Sequence, residues 1–496
     1  MKGNEALEVF FMLAWIIALS LLVIQMINLC TILMMIFRRR DEPIYIIAWT
    51  MIMTFIPFIG FLLYLLFGHG PIIKKKRTFF DDIEELNYQQ AVNSQLEMIE
   101  EATEGHSPYT SLIKFNLNYN KSVLTQYNSL TYFSDAKDKY DQLIKDIEQA
   151  NDTINVLYFI IRGDESGKAL IEALAKKAKQ GIKVRLVYDD GGSFMTPSSV
   201  FKPLKEEGGI VVKHYPAKFK IFTLNWNYRN HRKIVVIDGK IAYLGGMNIG
   251  DEYLSKNPKY TPWRDAHLRV TGEMVHLLQL RFFKDYAAVI EDLTDFNEIE
   301  QDMDRYFPPI SNEEEETYMQ LVCDGPDQRT DHMRSSYIKL IMTAKKSIWI
   351  QSPYFIPDSE FLHVLKIAAH SGLDVKIMIP VIPDNHFVHR TTTSYVKELL
   401  EAGIEVYFYE GFLHSKVFII DEEMATVGSV NMDVRSFSIN FELAAFIYNE
   451  KMTNQLVKQF KMDQLNCRLL DWDYENSKSW VMKAEESVYR LLSMLM

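Results

Sequence analysis

Cysteine is scarce. The chain has three in 496 residues, Cys30, Cys323 and Cys467, and no C-x-x-C pair. So odd and scattered a set builds no disulfide framework and offers no zinc spacing; it fits a reducing compartment. Positive charge is also in deficit. Lys and Arg number 54 against 65 Asp and Glu, a net charge of −11. That argues against a general nucleic-acid binder, which needs a basic surface to displace counterions. The start, "MKGNEALE", lacks the basic region of a secretory signal peptide. Apolar residues, in contrast, make up 48% of the chain, and the length suffices for two or three domains with a large core.

Two uncharged runs open the sequence. "VFFMLAWIIALSLLVIQMINLCTILMMIF" spans 9–37, and "IYIIAWTMIMTFIPFIGFLLYLLFG" spans 44–68 after "RRRDEP". Each exceeds the roughly 20 residues that cross a bilayer. Residues 1–77 are therefore expected to form a membrane hairpin, with helices at about 9–29 and 46–68; a buried core hairpin is the alternative. Pro57 is expected to kink the second helix or make it re-entrant. Two spans put the N-terminus and the large C-terminal part on one side. Four basic residues follow the hairpin, Lys74, Lys75, Lys76 and Arg77, against three in its loop, Arg38, Arg39 and Arg40. That balance favours a cytoplasmic body.

The remainder reads as a repeat. After an acidic helical connector at 78–110, a first half at 111–294 contains "YDQLIKDIEQANDTINVLYFII" and "ALIEALAKKAKQGIKVRLVYDDGG". A second half at 319–496 contains "SSYIKLIMTAKKSIWIQSPYFIP" and "FLHVLKIAAHSGLDVKIMIPVIPD". Each gives helix, apolar strand, amphipathic helix, Gly181 or Gly372 at the helix stop, then another apolar strand. This alternation predicts α/β units around a largely buried sheet. An acidic, proline-containing stretch at 295–318 reads as a linker.

Each half carries H-x-K-x4-D: His231, Lys233 and Asp238, then His414, Lys416 and Asp421. A G-[GS]-x-N segment follows each at the same offset, 245–248 and 428–431. Two copies at equivalent places in a repeat are not a chance event. In a strand, residues i and i+2 share a face, so each histidine projects with its lysine. Asp238 and Asp421 are counted with the two His and Lys pairs as the catalytic set, but they have the opposite parity and sit at the strand end, where they orient residues or cap the turns rather than react. "DG" at 238–239 marks a hairpin turn, which should bring Asn248 towards Lys233 and Ser429 and Asn431 towards Lys416.

Two imidazoles, two ammonium groups and several amide or hydroxyl donors suit a metal poorly and a phosphate well. One histidine can attack phosphorus while the other protonates the leaving alkoxide. That chemistry needs a histidine on each side of one phosphate, so each half supplies half a site.

These motifs resemble the phospholipase D superfamily, and within it the bacterial cardiolipin synthases. "PWRDAHLRVTG", "SPYFIPD", "LLEAGIEVYFYEGFLHSK" and the hairpin with "FIPFIGFLLYLLFGHGP" extend the resemblance over nearly the whole chain. It implies two α/β/α sandwich halves sharing one active site behind a transmembrane hairpin. It implies a reversible transfer in which two phosphatidylglycerol molecules give cardiolipin and glycerol through a phosphatidyl-histidine, with no cofactor and no metal. By the same resemblance Glu442, and Asp265 as its counterpart, support the histidine of the opposite half. His231 is taken as nucleophile and His414 as acid/base. Gly246 in the first copy against Ser429 in the second makes the halves unequal.

The expected partners are phosphatidylglycerol and cardiolipin in the cell membrane, and no nucleic acid. Rival readings are a hydrolytic phospholipase D, a related phosphatidyltransferase with another lipid donor or acceptor, a nuclease of the same superfamily, and a binding protein with a decayed site. The aromatic segment 218–231 reads as a site mouth or as core. The amphipathic C-terminus from Trp480 is expected to be a packed helix rather than a membrane-lying one.

Overall fold

In the computed structural model, residues 2–39, 43–68, 79–102, 109–214, 227–290, 294–310, 315–327, 331–382, 384–491 and 493 are described. The chain divides into two units. One comprises 1–74, 217–228 and 494–496, and the other 75–216 and 229–493.

The first unit contains the apolar runs. A helix over Lys2–Met34 continues as a π-turn over Met35–Arg39. Its stretch Glu8–Phe37 is long and apolar enough to cross a membrane. The expected second span is not one helix. It breaks at Ile56 into Pro43–Phe55 and Pro57–Phe67. Pro57 has no N–H, so the carbonyl of Met53 loses its helical donor. Asn28, buried on the first helix, donates its Nδ2 to Met53 O at 3.0 Å and to Pro57 O at 3.2 Å, so the break is capped from a neighbouring helix. Trp49 packs edge-on to Tyr64 at 5.2 Å. Asn227, also of this unit, donates to Gly68 O at 3.3 Å. The basic run Lys74–Arg77 and residues 218–226 of the aromatic segment lie outside the described residues.

The second unit is built on one sheet of 15 strands. The first half supplies β1 (Leu124–Phe133), β2 (Thr153–Tyr158), β3 (Lys183–Asp189), β4 (Ile210–His214), β5 (Ile234–Ile237), β6 (Ile241–Gly245) and β7 (His267–Gly272). The second half supplies β8 (Glu316–Asp324), β9 (Ser347–Gln351), β10 (Asp374–Pro380), β11 (Glu405–Tyr409), β12 (Val417–Ile420), β13 (Met424–Gly428), β14 (Glu442–Tyr448) and β15 (Cys467–Leu470). The spatial order is β15-β11-β10-β9-β12-β13-β14-β8-β1-β7-β6-β5-β2-β3-β4. Read outwards from the β8/β1 seam, the halves have matching order, with β15 added at one edge.

The local causes repeat as well. β2 and β3 are parallel, as are β9 and β10, so each pair needs a helical crossover. Asp164 caps Glu165–Lys179 by accepting from Gly167 N at 3.1 Å, and Asp358 caps Ser359–His370 by accepting from Phe361 N at 2.8 Å. Gly181 and Gly372 end these helices with φ near +90°, a conformation that costs a residue with a Cβ.

The seam is antiparallel, with Leu124 opposite Gln320 and Thr125 opposite Met319. Buried amides stitch it: Asn128 Nδ2 donates to Thr317 O at 2.8 Å and Gln320 Nε2 to Ser122 O at 2.7 Å. One hydrophobic core runs under both halves, taking in Ile234 and Leu268 of the first and Val417 and Leu443 of the second.

Two stretches read as connections belong to the body. The acidic connector contains a helix, Phe79–Ala102, anchored by fully buried Phe80, which stacks on Phe283 at 5.1 Å. The linker contains helices Thr294–Gln301 and Met303–Tyr306. Asp295 accepts from buried Arg185 at 2.7 and 2.8 Å, which pins that stretch to β3.

Candidate active site

The motif residues stand just ahead of strands, not within them. His231 to Lys233 lead into β5, and His414 to Lys416 into β12. The i, i+2 relation survives because the lead-in is extended. Each lysine turns back on its own histidine: Lys233 Nζ donates to His231 O, and Lys416 Nζ to His414 O, both at 2.5 Å.

What keeps each lead-in extended comes from the opposite half. His231 N donates to Phe441 O at 2.9 Å, and the next residue, Glu442, meets His231 Nδ1 at 3.0 Å. His414 N donates to Arg264 O at 2.7 Å, and the next residue, Asp265, meets His414 Nδ1 at 2.6 Å. One device is thus used twice. A main-chain bond sets the histidine backbone, and the following carboxylate holds Nδ1. Nε2 is thereby left to face a substrate, the arrangement a nucleophile or proton carrier needs.

The two copies then differ. His231 Nδ1 also lies 3.0 Å from Ser429 O. Ser429 Oγ donates to Glu442, and Asn440 Nδ2 donates to Glu442 Oε1 at 3.3 Å. In the first copy Gly246 stands in the serine's place. A Cβ there would come 2.2 Å from Asp265 Oδ1, so the shorter carboxylate occupies that space. Ser429 bonds to Glu442, therefore, and not to Lys416 as expected. Asn248 Oδ1 accepts from Ile160 N at 3.2 Å, shaping the loop after β2 rather than meeting Lys233. Asn431 is buried, and its Oδ1 has no partner among the described residues.

Asp238 and Asp421 do not join the site. Each sits at the far end of its strand with φ above +50°, in the turn to the next strand. Asp238 accepts from the backbone N–H groups of Asn151, Asp152 and Thr153 at 2.8–2.9 Å. Asp421 does the same for Lys345, Lys346 and Ser347 at 2.7–2.9 Å. The opposite parity of these residues sends the carboxylates away from the histidines. There they clamp the starts of β2 and β9, so the structure gives them a holding role in place of a catalytic one.

The electrostatics describe a single site. Burial, and after it Lys416, pushes His414 down to about 3; burial also lowers His231 against the pull of Glu442. Burial takes Lys233 down to about 7 and Lys416 to about 8. Each lysine acts on both histidines. Burial alone would raise the carboxylates, but His231 holds Glu442, and His414 holds Asp265, below the usual range. Rings wall the site. Phe159 stands edge-on to His231 at 4.8 Å, and Trp263 lies 5.3 Å from His414.

Sequence reasoning missed Arg232, the variable residue of the first motif. It is buried and spans the seam. Its Nη1 holds Asp285 at 2.7 and 2.8 Å, Nη2 donates to Asp324 O at 2.6 Å, and Nε donates to Glu442 O at 3.0 Å. Arg232 and Arg281 keep Asp285 well below the usual carboxylate range despite burial. The second copy has Ser415 at this place. The only sequence signal was a long cation beside an apolar run.

Comparison with known proteins gives the family. Residues 143–260 and 337–464, one segment in each half, match the family described as "Cardiolipin synthase, PLD-like domain". Residues 13–69 match "Phospholipase_D-nuclease N-terminal". The chain is 40% identical to the cardiolipin synthase of Listeria welshimeri over 484 residues, covering 96% of this chain and 99% of that one. It is 41% identical to the major cardiolipin synthase ClsA of Bacillus subtilis over 475 residues, covering 94% and 97%. In fold it is similar to the phosphatidylserine synthase of Haemophilus influenzae, with a TM-score of 0.59 at 14% identity over 79% of this chain and 100% of that one. With identity at this level along almost its whole length, the chain belongs to the cardiolipin synthases of the phospholipase D superfamily.

Proposed function

We propose that the protein is a phosphatidyltransferase that converts two phosphatidylglycerol molecules into cardiolipin and glycerol. The observation that carries this is the crossed arrangement of His231 with Glu442 and His414 with Asp265, which faces two oriented imidazoles and two lysines on one site. A phosphodiester fits it. The lysines neutralise its non-bridging oxygens, and its negative charge offsets the effect of the lysines on the histidines.

The reaction runs in two steps. His231 Nε2 attacks phosphorus, the bond from phosphorus to the glycerol oxygen breaks, and protonated His414 gives its proton to that oxygen. The neutral His414 then takes the proton of a second phosphatidylglycerol's terminal hydroxyl. The hydroxyl oxygen attacks phosphorus, the P–N bond breaks, and both histidines return to their starting states. In the empty site His414 is neutral; with substrate bound, Asp265 at 2.6 Å is the group placed to hold its proton. One phosphodiester is broken and one made, so no nucleotide is consumed.

The first unit anchors the enzyme where both substrates reside, as a multi-pass hairpin with the body on the cytoplasmic side. Its apolar helix supports the anchor, and the balance of basic residues supports the side.

The test is purified enzyme in vesicles with phosphatidylglycerol as the sole phospholipid and a chelator present. Cardiolipin with equimolar glycerol is expected. Phosphatidic acid as main product overturns transfer in favour of hydrolysis, and no product without another lipid overturns the donor or acceptor assignment.

A further inference from the structure

The C-terminal helix Trp480–Leu491 is packed inside out. The side it turns to the body is polar. Buried Glu486 accepts from Thr393 Oγ1 at 2.8 Å and lies 3.0 Å from buried Lys478. Arg490 pairs with Glu398 and lies over the Tyr395 ring at 4.2 Å, while Glu485 faces Arg390 at 3.4 Å. Tyr489 against Phe387, at 4.5 Å, is the main ring contact. The opposite side carries Trp480, Ala484, Val488 and Leu491, spaced i, i+4, i+8 and i+11, with Val481 beside them. These lie on one face of an α-helix. They point outwards: Trp480 is 80% exposed, Leu491 78% and Val488 54%. The sequence led us to expect a packed helix, and it is packed, but through its charged side.

Next to this stripe lies a cavity of about 340 Å³. Lys397, Lys483 and Arg490 contribute its cations, and Trp472, 46% exposed, stands in its wall. Its carboxylates, Glu475 and Glu486, are already committed to Lys478 at 2.7 and 3.0 Å. Lys483 makes no ion pair among the described residues, and Lys397 has only Glu401 at 3.9 Å. The outer surface of the helix therefore presents apolar side chains, indoles and an unengaged ammonium group, while Glu486 is turned inwards and half-exposed Glu485 is paired with Arg390.

We propose that this face, the stripe together with the cationic cavity, lies against the surface of an anionic phospholipid bilayer, as a lipid contact separate from the catalytic site. Two features select a bilayer. Indoles bordering an apolar stripe are the side chains that settle at a headgroup boundary. A lysine-lined cavity beside the stripe suits a phosphodiester headgroup whose acyl chains lie along the helix.

The test uses the full chain with its native cysteines replaced by serine, checked by thermal unfolding. An environment-sensitive fluorophore is placed on Ala484→Cys. The enzyme is held at one copy per nanodisc, with phosphatidylserine as the anionic lipid. Because the readout is burial of the probe and not turnover, it is independent of the proposed reaction. A blue shift, a severalfold rise in emission and quenching by spin-labelled acyl chains are expected. They should diminish in purely zwitterionic discs and in a Lys397→Glu/Lys483→Glu variant. Water-like emission quenched by iodide in every disc overturns the proposal. So does burial indifferent to lipid charge, and so does burial that appears only when two copies share a disc, which would assign the face to self-association.

Discussion

The two halves of the body carry the same local equipment and lend each other different supports. The first half holds His414 Nδ1 through Asp265 alone, across 2.6 Å, with Gly246 making room. The second half holds His231 through Glu442 and the Ser429 carbonyl, with Ser429 and Asn440 steadying the glutamate. One methylene of carboxylate length is balanced by a serine in place of a glycine. Neither half can orient its own histidine. Duplication has yielded one site with two unequal ends, as a reaction with one nucleophile and one acid requires.

The comparison breaks most readily at the histidines. His231→Asn and His414→Asn should each lower cardiolipin formation by about four orders of magnitude, and the double variant should be no worse, since groups that act as a unit are not additive. Losses that add in free energy would mean that the histidines act independently rather than as a unit, and a single variant that keeps about half its activity would mean two separate sites. A phosphohistidine trapped with lipid and mapped to position 414 would reverse the assignment of roles.

The carboxylates should then separate the halves. Asp265→Asn is expected to cost about 10² to 10⁴ in kcat, as loss of an orienting carboxylate does. Glu442→Gln should cost less, because the Ser429 carbonyl still holds His231 Nδ1. Equal losses in steady-state kinetics would remove the asymmetry argued above.

A smaller effect should appear with pH. Lys233 near 7 and Lys416 near 8 carry their charge below those values and lose it above. Hence kcat/KM, which reports the free enzyme, should fall as pH rises through 7 to 8. Bound phosphodiester favours the charged lysines, so the corresponding fall in kcat should lie at higher pH. Lys233→Arg, assayed on its residual activity, should move the kcat/KM fall in the alkaline direction, from about 7 towards the value of about 8 at Lys416, because a guanidinium keeps its charge.

Asp238→Asn and Asp421→Asn form the control pair. Each native carboxylate accepts three backbone N–H groups away from the histidines. Each variant should therefore lose roughly 1–3 kcal/mol of stability in denaturant unfolding while keeping most of its kcat. A large loss of kcat with unchanged stability would return these residues to the chemistry.

Legibility followed the range of the interaction. The halves were readable because apolar strand, capped helix and Gly181 or Gly372 are local signals. Each histidine with its lysine was readable because i and i+2 share a face in any extended segment. Pro57 announced a disturbance in the second apolar run, but nothing local marked Asn28 as the donor to the carbonyl that Pro57 leaves bare. Periodicity marked the C-terminal helix as amphipathic without saying which side would face the body, since ion pairs to distant residues made that choice.

The sequence alone determined the inventory: two copies of a histidine and lysine pair, two buried-sheet halves to carry them, and an apolar anchor, all set by contacts a few residues long. Which carboxylate meets which histidine was decided by the tertiary structure. His231 and Glu442 are 211 positions apart, and His414 and Asp265 149. They meet because the antiparallel seam of β1 and β8 turns the second half about the first, so that each half delivers its carboxylate to the other's histidine.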